Sequence, residues 1–317
     1  MKRLPAIILI AMLTLISTWY VFIQVISPPS NIPSRISISN GILDGQADPP
    51  YRYRILKPLT ARILQKLMSP VMSDPWVQHV ISYSLITLAA FAGVFSLLYL
   101  YLRKFFSQNA SIIGLLFLQA VIPLSITFNI GFYMEGDFIA LAFYMLGLCL
   151  MIYGKDIYLP IVIGVATLNR EQMVFLAFLY GIYLFSQPQV SGKKLAILTA
   201  CFAAWFIVFM GVRMYFGFKS SNFTYAMHIS HNLDMGKLTR KIIPLWLAEV
   251  APSIVLCVLA FSRSNRFFRL SFISLSLYAA MFFFTGNMWE LAKFLPAFLV
   301  MIPMALQILT GEFVEKI

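Results

Sequence analysis

The sequence predicts an all-α fold, a polytopic transmembrane helical bundle of about ten spans that forms one integral membrane domain over residues 1–317. Apolar residues make up 60% of the chain and charged residues only 11%, whereas soluble domains carry about 25% charged residues. The mean hydropathy is +0.83. Apolar runs of spanning or near-spanning length also follow one another along the chain, so lipid is the expected solvent for most of the surface.

The first apolar run, 5–27, is longer than the core of an ordinary signal peptide, and Ser27-Pro28-Pro29 is a poor cleavage site. We therefore expect an uncleaved first transmembrane helix. Several later runs are shorter than the roughly 20 residues that a perpendicular helix needs, which is typical of helices that break at a cavity or pack inside a bundle. The ten predicted spans are 5–27, 77–102, 110–130, 138–153, 157–169, 172–186, 195–217, 243–262, 270–284 and 291–310.

The segment 157–186 fits either one long helix or a tight hairpin with its tip at Asn169-Arg170-Glu171. Cytoplasmic loops carry an excess of Lys and Arg, and only the hairpin keeps the later basic loops on the same side as the N-terminus. The hairpin is therefore favoured, with both termini inside. The inner bases are then Lys2, Arg3, Arg103, Lys104, Lys155, Lys193, Lys194, Arg263, Arg266 and Arg269.

This topology divides the 12 acids unequally, because only Asp156, Glu312 and Glu315 fall inside. The others and all three histidines lie on or near the outer side, so any chemistry is expected there. The outer acids are Asp44, Asp48, Asp74, Glu135, Asp137, Glu171, Asp234, Glu249 and Glu290, and the histidines are His79, His228 and His231.

Two outer loops are long, at 28–76 and 218–242. The first begins with a Pro-rich stretch over 28–33 that we expect to be irregular and extended. Its second half, 55–68, places leucines and isoleucine at helical spacing beside three bases that can reach lipid headgroups. This pattern predicts a helix lying in the membrane interface, with Pro58 in its first turn.

The segment just before this interface helix combines acids with bases. A carboxylate at the membrane surface, Asp44 or Asp48, has the chemistry of a general base towards a hydroxyl acceptor. The neighbouring bases have the chemistry to hold a lipid phosphate, and arginine offers it a two-pronged fork. A solvated loop that binds anionic headgroups explains the same pattern. The candidate phosphate-binding residues in this segment are Tyr51, Arg52, Arg54 and Lys57.

Two further polar segments lie between apolar runs. Glu135 and Asp137 form an acidic turn that must face water or a polar cavity, or else an exposed loop in which Asp137 caps the next helix. Arg170 and Glu171 interrupt an apolar stretch, and ionisable groups at membrane depth are functional candidates. The alternative is a simple hairpin tip with an internal Arg–Glu pair.

The remaining polar residues give weaker signals. His228 and His231 have spacing that suits a metal, but the sequence places no third ligand, so a loop role is favoured and a divalent metal stays open. Glu290 is interpreted as a cap or an ion pair, and Glu249 falls inside a span, where it needs a polar neighbour. Glycine-rich phosphate loops and dinucleotide motifs are absent, so no other cofactor is expected. The net charge of +12 comes without a long basic run, which argues against nucleic acid as a partner.

The order of these features over residues 1–190 resembles that of the bacterial polytopic glycosyltransferases of the GT-C type. Those enzymes use a lipid-phosphate-linked sugar, with a catalytic carboxylate in the first outer loop, an interface helix after it, and further acids in the next outer loop. Asp44 or Asp48 matches the first carboxylate, and Glu135 and Asp137 match the second acidic position. The strings at 51–56 and 166–171 also resemble segments of this group.

The resemblance implies transfer of a sugar from a polyprenyl-phosphate donor to a glycan, lipid or protein acceptor, on the outer face of the bacterial inner membrane. Asp48 or Asp44 would be the base, and the departing phosphate would be stabilised by a nearby cation. Two other classes stay open: a transporter or flippase of a lipid-linked or anionic solute, and a non-catalytic membrane scaffold. A transporter should carry polar residues at mid-membrane and often inverted repeats, neither of which is visible here. The candidate phosphate-stabilising cations are Arg52, Arg54, Lys57 and Arg170.

Overall fold

The computed structural model describes residues 4–127, 134–221 and 223–312, and over these ranges every regular element is a helix. Eight of the described helices are long and apolar enough to cross a membrane, so the chain is an integral membrane protein built as a helical bundle. In chain order the helices are α1 (Leu4–Val21), α2 (Ile32–Leu43), α3 (Leu56–Met68), α4 (Pro75–Arg103), α5 (Gln108–Thr127), α6 (Glu135–Ile152), α7 (Leu159–Thr167), α8 (Val174–Ser186), α9 (Gly192–Phe216), α10 (Tyr225–Leu233), α11 (Met235–Ala260), α12 (Arg266–Thr285) and α13 (Leu295–Thr310).

Helix ends follow local rules of capping. The Asp74 carboxylate accepts a hydrogen bond from the Trp76 backbone N–H at 2.8 Å and so caps α4. The Asn265 side chain caps α12 in the same way, accepting from the Phe268 N–H at 2.9 Å. At the other end of the chain, Gly311 takes a φ of 67° after α13, a left-handed conformation that glycine adopts without strain.

Two helices form the centre of the bundle and others form its perimeter. The apolar stretches of α13 and α6 are 83% and 72% buried, whereas those of α9 and α1 are only 11% and 28% buried. Large apolar side chains on the perimeter, such as Trp19 on α1 and Ile207 on α9, are exposed. Lipid rather than water suits such a surface.

The chain turns back between α7 and α8, as the predicted hairpin requires. The Tyr180 hydroxyl donates to the Asp156 carboxylate at 2.5 Å, which joins the start of one arm to the middle of the other. In one continuous helix these residues would lie about 36 Å apart, at 1.5 Å per residue. Arg170, between the arms, has an extended backbone with φ −153° and ψ 129°. The hairpin prediction is therefore confirmed and the single long helix is excluded.

The first long loop is more helical than predicted. The helix expected over 55–68 is present as α3, and its place in the membrane interface stays a prediction. The stretch expected to be extended through Pro33 instead enters α2 at Ile32. That expectation was wrong because Pro33 occupies the first turn of the helix, where the missing N–H has no helical partner to lose. The second loop, 218–242, likewise contains α10 and the start of α11, whose first turn is capped by Asp234.

Prolines also explain the π-helical turns in the described chain. Each of these turns comes shortly before a proline. A proline ring clashes with the carbonyl four residues earlier and offers no N–H, and a wider turn accommodates both defects. The turns and the prolines that follow them are Phe22–Ile26 with Pro28, Leu238–Ile242 with Pro244, and Trp246–Val250 with Pro252.

Candidate functional site

Segments far apart in sequence meet at one end of the bundle, where α4 and α6 begin and α9 ends. We call this the polar end. The Leu56 N–H, at the start of α3, donates to the Leu168 carbonyl at 3.0 Å. The Asn169 amide donates to the Gly136 carbonyl at 2.7 Å, which joins the α7–α8 break to the start of α6. The first loop, α6 and the break thus form one contiguous structure.

The two acids at the start of α6 do not form a carboxylate pair. Glu135 and Asp137 are two residues apart in a helix, which places them about 200° apart around its axis, on opposite faces. Each is buried and each meets its own cations. The alternative of an exposed loop is therefore excluded, and α6 separates two charged clusters.

Glu135 is the centre of the first cluster, and its side chain is fully buried. It accepts a hydrogen bond from Arg35, which comes from α2, and another from the Lys57 ammonium at 3.1 Å, which comes from the first turn of α3. The Tyr83 ring lies against both cations, 4.9 Å from the Arg35 guanidinium carbon and 5.4 Å from the Lys57 nitrogen. His79 stacks on the same ring at 4.4 Å. Two cations therefore face one carboxylate.

Lys57 carries its charge at an energetic cost. Burial lowers the pKa of its ammonium, and the adjacent Glu135 carboxylate opposes that shift. An additional anion beside Lys57 would favour the charged form further. The first cluster is thus suited to receive a negatively charged group.

Asp137 is the centre of the second cluster. Its carboxylate pairs with the Arg170 guanidinium at 2.7 Å, and both side chains are buried. Arg54, Glu290 and Lys293 are near enough to act electrostatically on the same carboxylate. The residue between the two acids is glycine, so the α7–α8 break packs closely against α6 at that point.

Glu290 and Lys293 form an ion pair beside this cluster, as one alternative for Glu290 predicted. The Asn287 amide also donates to Glu290 at 3.0 Å, and His228 contacts Asn287 at 3.3 Å. Burial opposes ionisation of Glu290, but Lys293, the hydrogen bond from Asn287 and the nearby Arg170 outweigh it and hold the pKa of Glu290 below its ordinary value. Lys293 was not predicted as a site residue, although a lysine in the first turn of an apolar span is a recognisable signal.

Glu171 forms its ion pairs with residues other than its neighbour Arg170. Its carboxylate contacts Arg213 of α9 at 2.9 Å and Arg54 at 3.6 Å, while Arg170 turns to Asp137. The predicted internal Arg–Glu pair is therefore wrong, because an extended backbone sends adjacent side chains in opposite directions. Arg213 was missed by sequence reasoning, although it too is a cation in the last turn of a span.

The first-loop acids lie apart from both clusters. Asp44 is 61% exposed and lies 3.9 Å from Arg62, which is itself exposed. Asp48 is also exposed, and its carboxylate has no hydrogen bond or ion pair with any residue in the described ranges. Neither acid is among the groups with the largest effects on Glu135 or Asp137. Their assignment as catalytic residues stays a prediction.

Arg52 and Tyr51 differ from the other predicted phosphate-binding residues. The Arg52 guanidinium donates to the backbone carbonyls of Ala47 and Phe216, at 3.1 and 3.3 Å, and so ties the first loop to the end of α9. Tyr51 lies beside Arg54, whose guanidinium carbon is 5.2 Å from the ring. Burial raises the pKa of the Tyr51 hydroxyl, although Arg54 opposes the shift.

The two histidines whose spacing left a metal open, and for which a loop role was favoured, have different neighbours. His228 contacts Asn287, whereas the His231 ring lies 6.2 Å from the Trp289 ring. Within the described part of the chain, no three His, Cys, Asp or Glu side chains come together as metal ligands. The divalent metal stays an open prediction.

No protein-family model, curated protein or solved structure matches this chain. The chemistry of the site therefore has to be inferred from its own geometry. Glu135 and Asp137 belong to separate clusters, and each cluster has an apolar groove below it.

The first groove runs down the bundle between α3, α4 and α6, and has a volume of about 520 Å³. Lys57 and Thr60 provide the polar part of the groove's lining, and the rest of its lining is apolar. At Leu85 it adjoins a further apolar groove of about 570 Å³ between α1 and α4. Leu85 is exposed on the perimeter, so this groove system is open at the surface of the bundle.

The second groove lies between α6, α8, α12 and α13 and is smaller, with a volume of about 120 Å³. It begins near the second cluster, where the Tyr278 hydroxyl donates to the Lys293 carbonyl at 2.6 Å. Tyr144, on its α6 side, donates to the Gln172 carbonyl at 2.7 Å. Apolar residues of α8, α12 and α13 form most of the remaining lining.

Proposed function

We propose that the chain is a membrane glycosyltransferase that moves a sugar from a polyprenyl-phosphate donor to an acceptor at the polar end. The observation that carries this proposal is the position of Lys57, which lines the first groove and, together with Arg35, faces Glu135. In a polyprenyl phosphate, the anionic phosphate would meet the cations and the hydrocarbon chain would lie along the apolar lining of the groove. A donor that already resides in the bilayer also needs no nucleotide-binding fold.

The cations of the first cluster would act on the leaving group. As the bond between the sugar and the phosphate oxygen breaks, the electron pair stays on that oxygen and the phosphate gains negative charge. Arg35 and Lys57 are fixed in place by Glu135 and Tyr83, so they are preorganised to stabilise this charge. The released product is the polyprenyl phosphate.

The base would accept the proton of the acceptor hydroxyl as its oxygen forms a bond to the sugar. Asp137 is the best-supported candidate, because it is buried at the polar end on the same helix turn as Glu135. Arg170 pairs with its carboxylate and orients it. The first-loop acids, Asp48 and Asp44, are the alternative that the family resemblance implies, and their exposed positions support it less.

The charge distribution supports an orientation with the polar end outward and both termini inside, in the bacterial inner membrane. At the opposite end of the bundle, basic residues outnumber acidic ones. Lys155 follows α6 there, and Lys193 and Lys194 begin α9. In this proposal α7 and α8 each cross the membrane, which gives ten crossings. Their short apolar lengths, 12 and 16 residues when their 3₁₀ turns are included, suit helices packed among longer neighbours.

The other two functional classes have less support. A scaffold would leave Asp44, Asp48, Glu135 and Asp137 in water. Asp44 and Asp48 are exposed, whereas Glu135 and Asp137 are buried in ion pairs. A transporter would concentrate charge along a path through the membrane, whereas the described ion pairs crowd the polar end.

Glu249 of α11 is a buried carboxylate without a hydrogen-bond partner in the described chain, so the polar neighbour expected for it is not found.

Binding of the donor product tests the first groove. Polyprenyl phosphate is expected to raise the unfolding temperature of the purified protein, because a ligand that binds only the folded state stabilises it. Ala89→Trp, which fills the groove, should abolish this shift. Ser276→Trp, on the exposed face of α12, should leave it unchanged. An equal shift with both variants, or with polyprenol lacking the phosphate, would argue against the assigned site.

A further inference from the structure

The second groove has the features of a second lipid-binding site. Phe178 of α8 and Leu277 of α12 line it and are exposed at 50% and 65% of their surfaces. Both belong to apolar helices of the bundle, so the groove is reached from the hydrocarbon region rather than from water. A hydrocarbon chain is therefore the occupant that its surroundings provide.

The charges above the two grooves differ. Arg35 and Lys57 face a single carboxylate at the first groove. At the second, Asp137 is paired with Arg170 and Glu290 is paired with Lys293, so each acid has its own base. Arg54, which also acts on Asp137, is paired with Glu171. The first arrangement suits an anionic phosphate, and the second suits an uncharged hydroxyl-bearing head.

The geometry of α6 assigns one groove to each cluster. Ile139, Ala142, Phe143 and Leu146 line the first groove, and Tyr144 lines the second. At about 100° per residue, Tyr144 lies on the face of Asp137, whereas the other four lie on the face of Glu135. Chains in the two grooves would thus approach the start of α6 from opposite sides.

We propose that the acceptor is also a lipid: a hydroxyl-bearing lipid whose chain lies in the second groove and whose hydroxyl reaches Asp137. This inference rests on the proposed glycosyltransferase function and names its acceptor class. The hydroxyl gives its proton to Asp137 and bonds to the sugar as the donor phosphate leaves. Because the groove has a volume of only about 120 Å³, it encloses the first few methylenes of the chain and the rest extends into the bilayer.

Photolabelling locates this lipid without depending on transfer. The probe is a dialkylglycerol with a free hydroxyl and a diazirine in one chain, incorporated with the full-length protein into phosphatidylcholine vesicles. Labelled peptides are identified by mass spectrometry. We expect labelling at Phe178 and Leu275 to exceed that at Ile207, an exposed residue of α9, by at least fivefold.

Two substitutions in α12 test whether the labelling depends on the second groove. Ser274 lines the second groove, whereas Ser276 is exposed and outside it. Ser274→Trp should lower labelling in the groove at least fivefold, and Ser276→Trp should not. Uniform labelling around the perimeter, or equal labelling in both variants, would overturn the proposal. Unfolding temperatures of both variants show whether each is folded, and the wild-type labelling pattern stands independently of them.

A transfer assay distinguishes failure of this inference from failure of the proposed function. With a polyprenyl-phosphate donor, the wild type should glycosylate the dialkylglycerol at least tenfold faster than a water-soluble glycerol analogue. Ser274→Trp should lose at least tenfold of the lipid-directed rate. Faster transfer to the soluble analogue would refute the lipid acceptor while supporting the enzyme. Groove labelling without any transfer would support lipid binding while refuting the enzyme.

Discussion

Replacing Asp137 with asparagine is expected to lower sugar transfer by roughly 100- to 10,000-fold, the usual contribution of a general base. Asparagine keeps the size of the side chain and can still accept a hydrogen bond from Arg170, which now pairs with the carboxylate at 2.7 Å. It cannot take up a proton from the acceptor hydroxyl. The rate is measured in vesicles containing equal amounts of folded protein, as judged by unfolding temperature.

The first-loop acids provide the matched comparison. Asp44→Asn and Asp48→Asn change exposed carboxylates outside both clusters, so they should keep most of the wild-type rate. If either of them abolishes transfer while Asp137→Asn remains active, the base lies in the first loop, as the family resemblance implies. That pattern would contradict the role of Asp137 as the base.

Replacing Glu135 with glutamine is expected to lower the free energy of unfolding by about 3–5 kcal/mol, the usual cost of removing one member of a buried ion pair. The amide would leave Arg35 and Lys57 buried beside a neutral group. Thermal unfolding in detergent measures the effect. Asp44→Asn is the control, because a carboxylate that is 61% exposed should contribute little.

A second substitution tests the cause of that loss. Removing one of the two stranded cations, as Glu135→Gln with Lys57→Met, should recover part of the stability. If Glu135→Gln unfolds like the wild type, the carboxylate does not hold the two cations in place. A double variant less stable than Glu135→Gln alone would also contradict this explanation, because Lys57 would then be contributing through other contacts.

Local sequence signals were sufficient for much of the fold. Apolar runs predicted the long helices, helical spacing predicted α3, and the loop charges favoured the hairpin that the Asp156–Tyr180 bond confirms. Helix α2 was missed because Pro33, the prolines before it and its polar residues resemble an irregular loop. Pro33 signals the first turn of a helix only when the residues after it are known to be helical.

The pairing within the site was harder to predict than its residues. Glu135, Asp137, Arg170 and Lys57 were all candidates, but Arg35 was not. Arg35 is 100 residues from Glu135 in sequence, and only the folding of α2 over the polar end brings them together. The opposite placement of the two acids follows from helical geometry once α6 is known to begin at 135 rather than at 138.

Sugar transfer from a lipid-linked donor is tested most directly in vesicles that contain the purified protein. Radiolabelled polyprenyl-phosphate sugars are supplied with a bilayer hydroxyl acceptor, and nucleotide sugars serve as the comparison donor. We expect label to move from a polyprenyl-phosphate sugar to the acceptor, and Ala89→Trp, which fills the first groove, to lower the rate at least tenfold. Transfer from nucleotide sugars alone, or no transfer above empty vesicles from any polyprenyl-phosphate sugar, would contradict the proposed function.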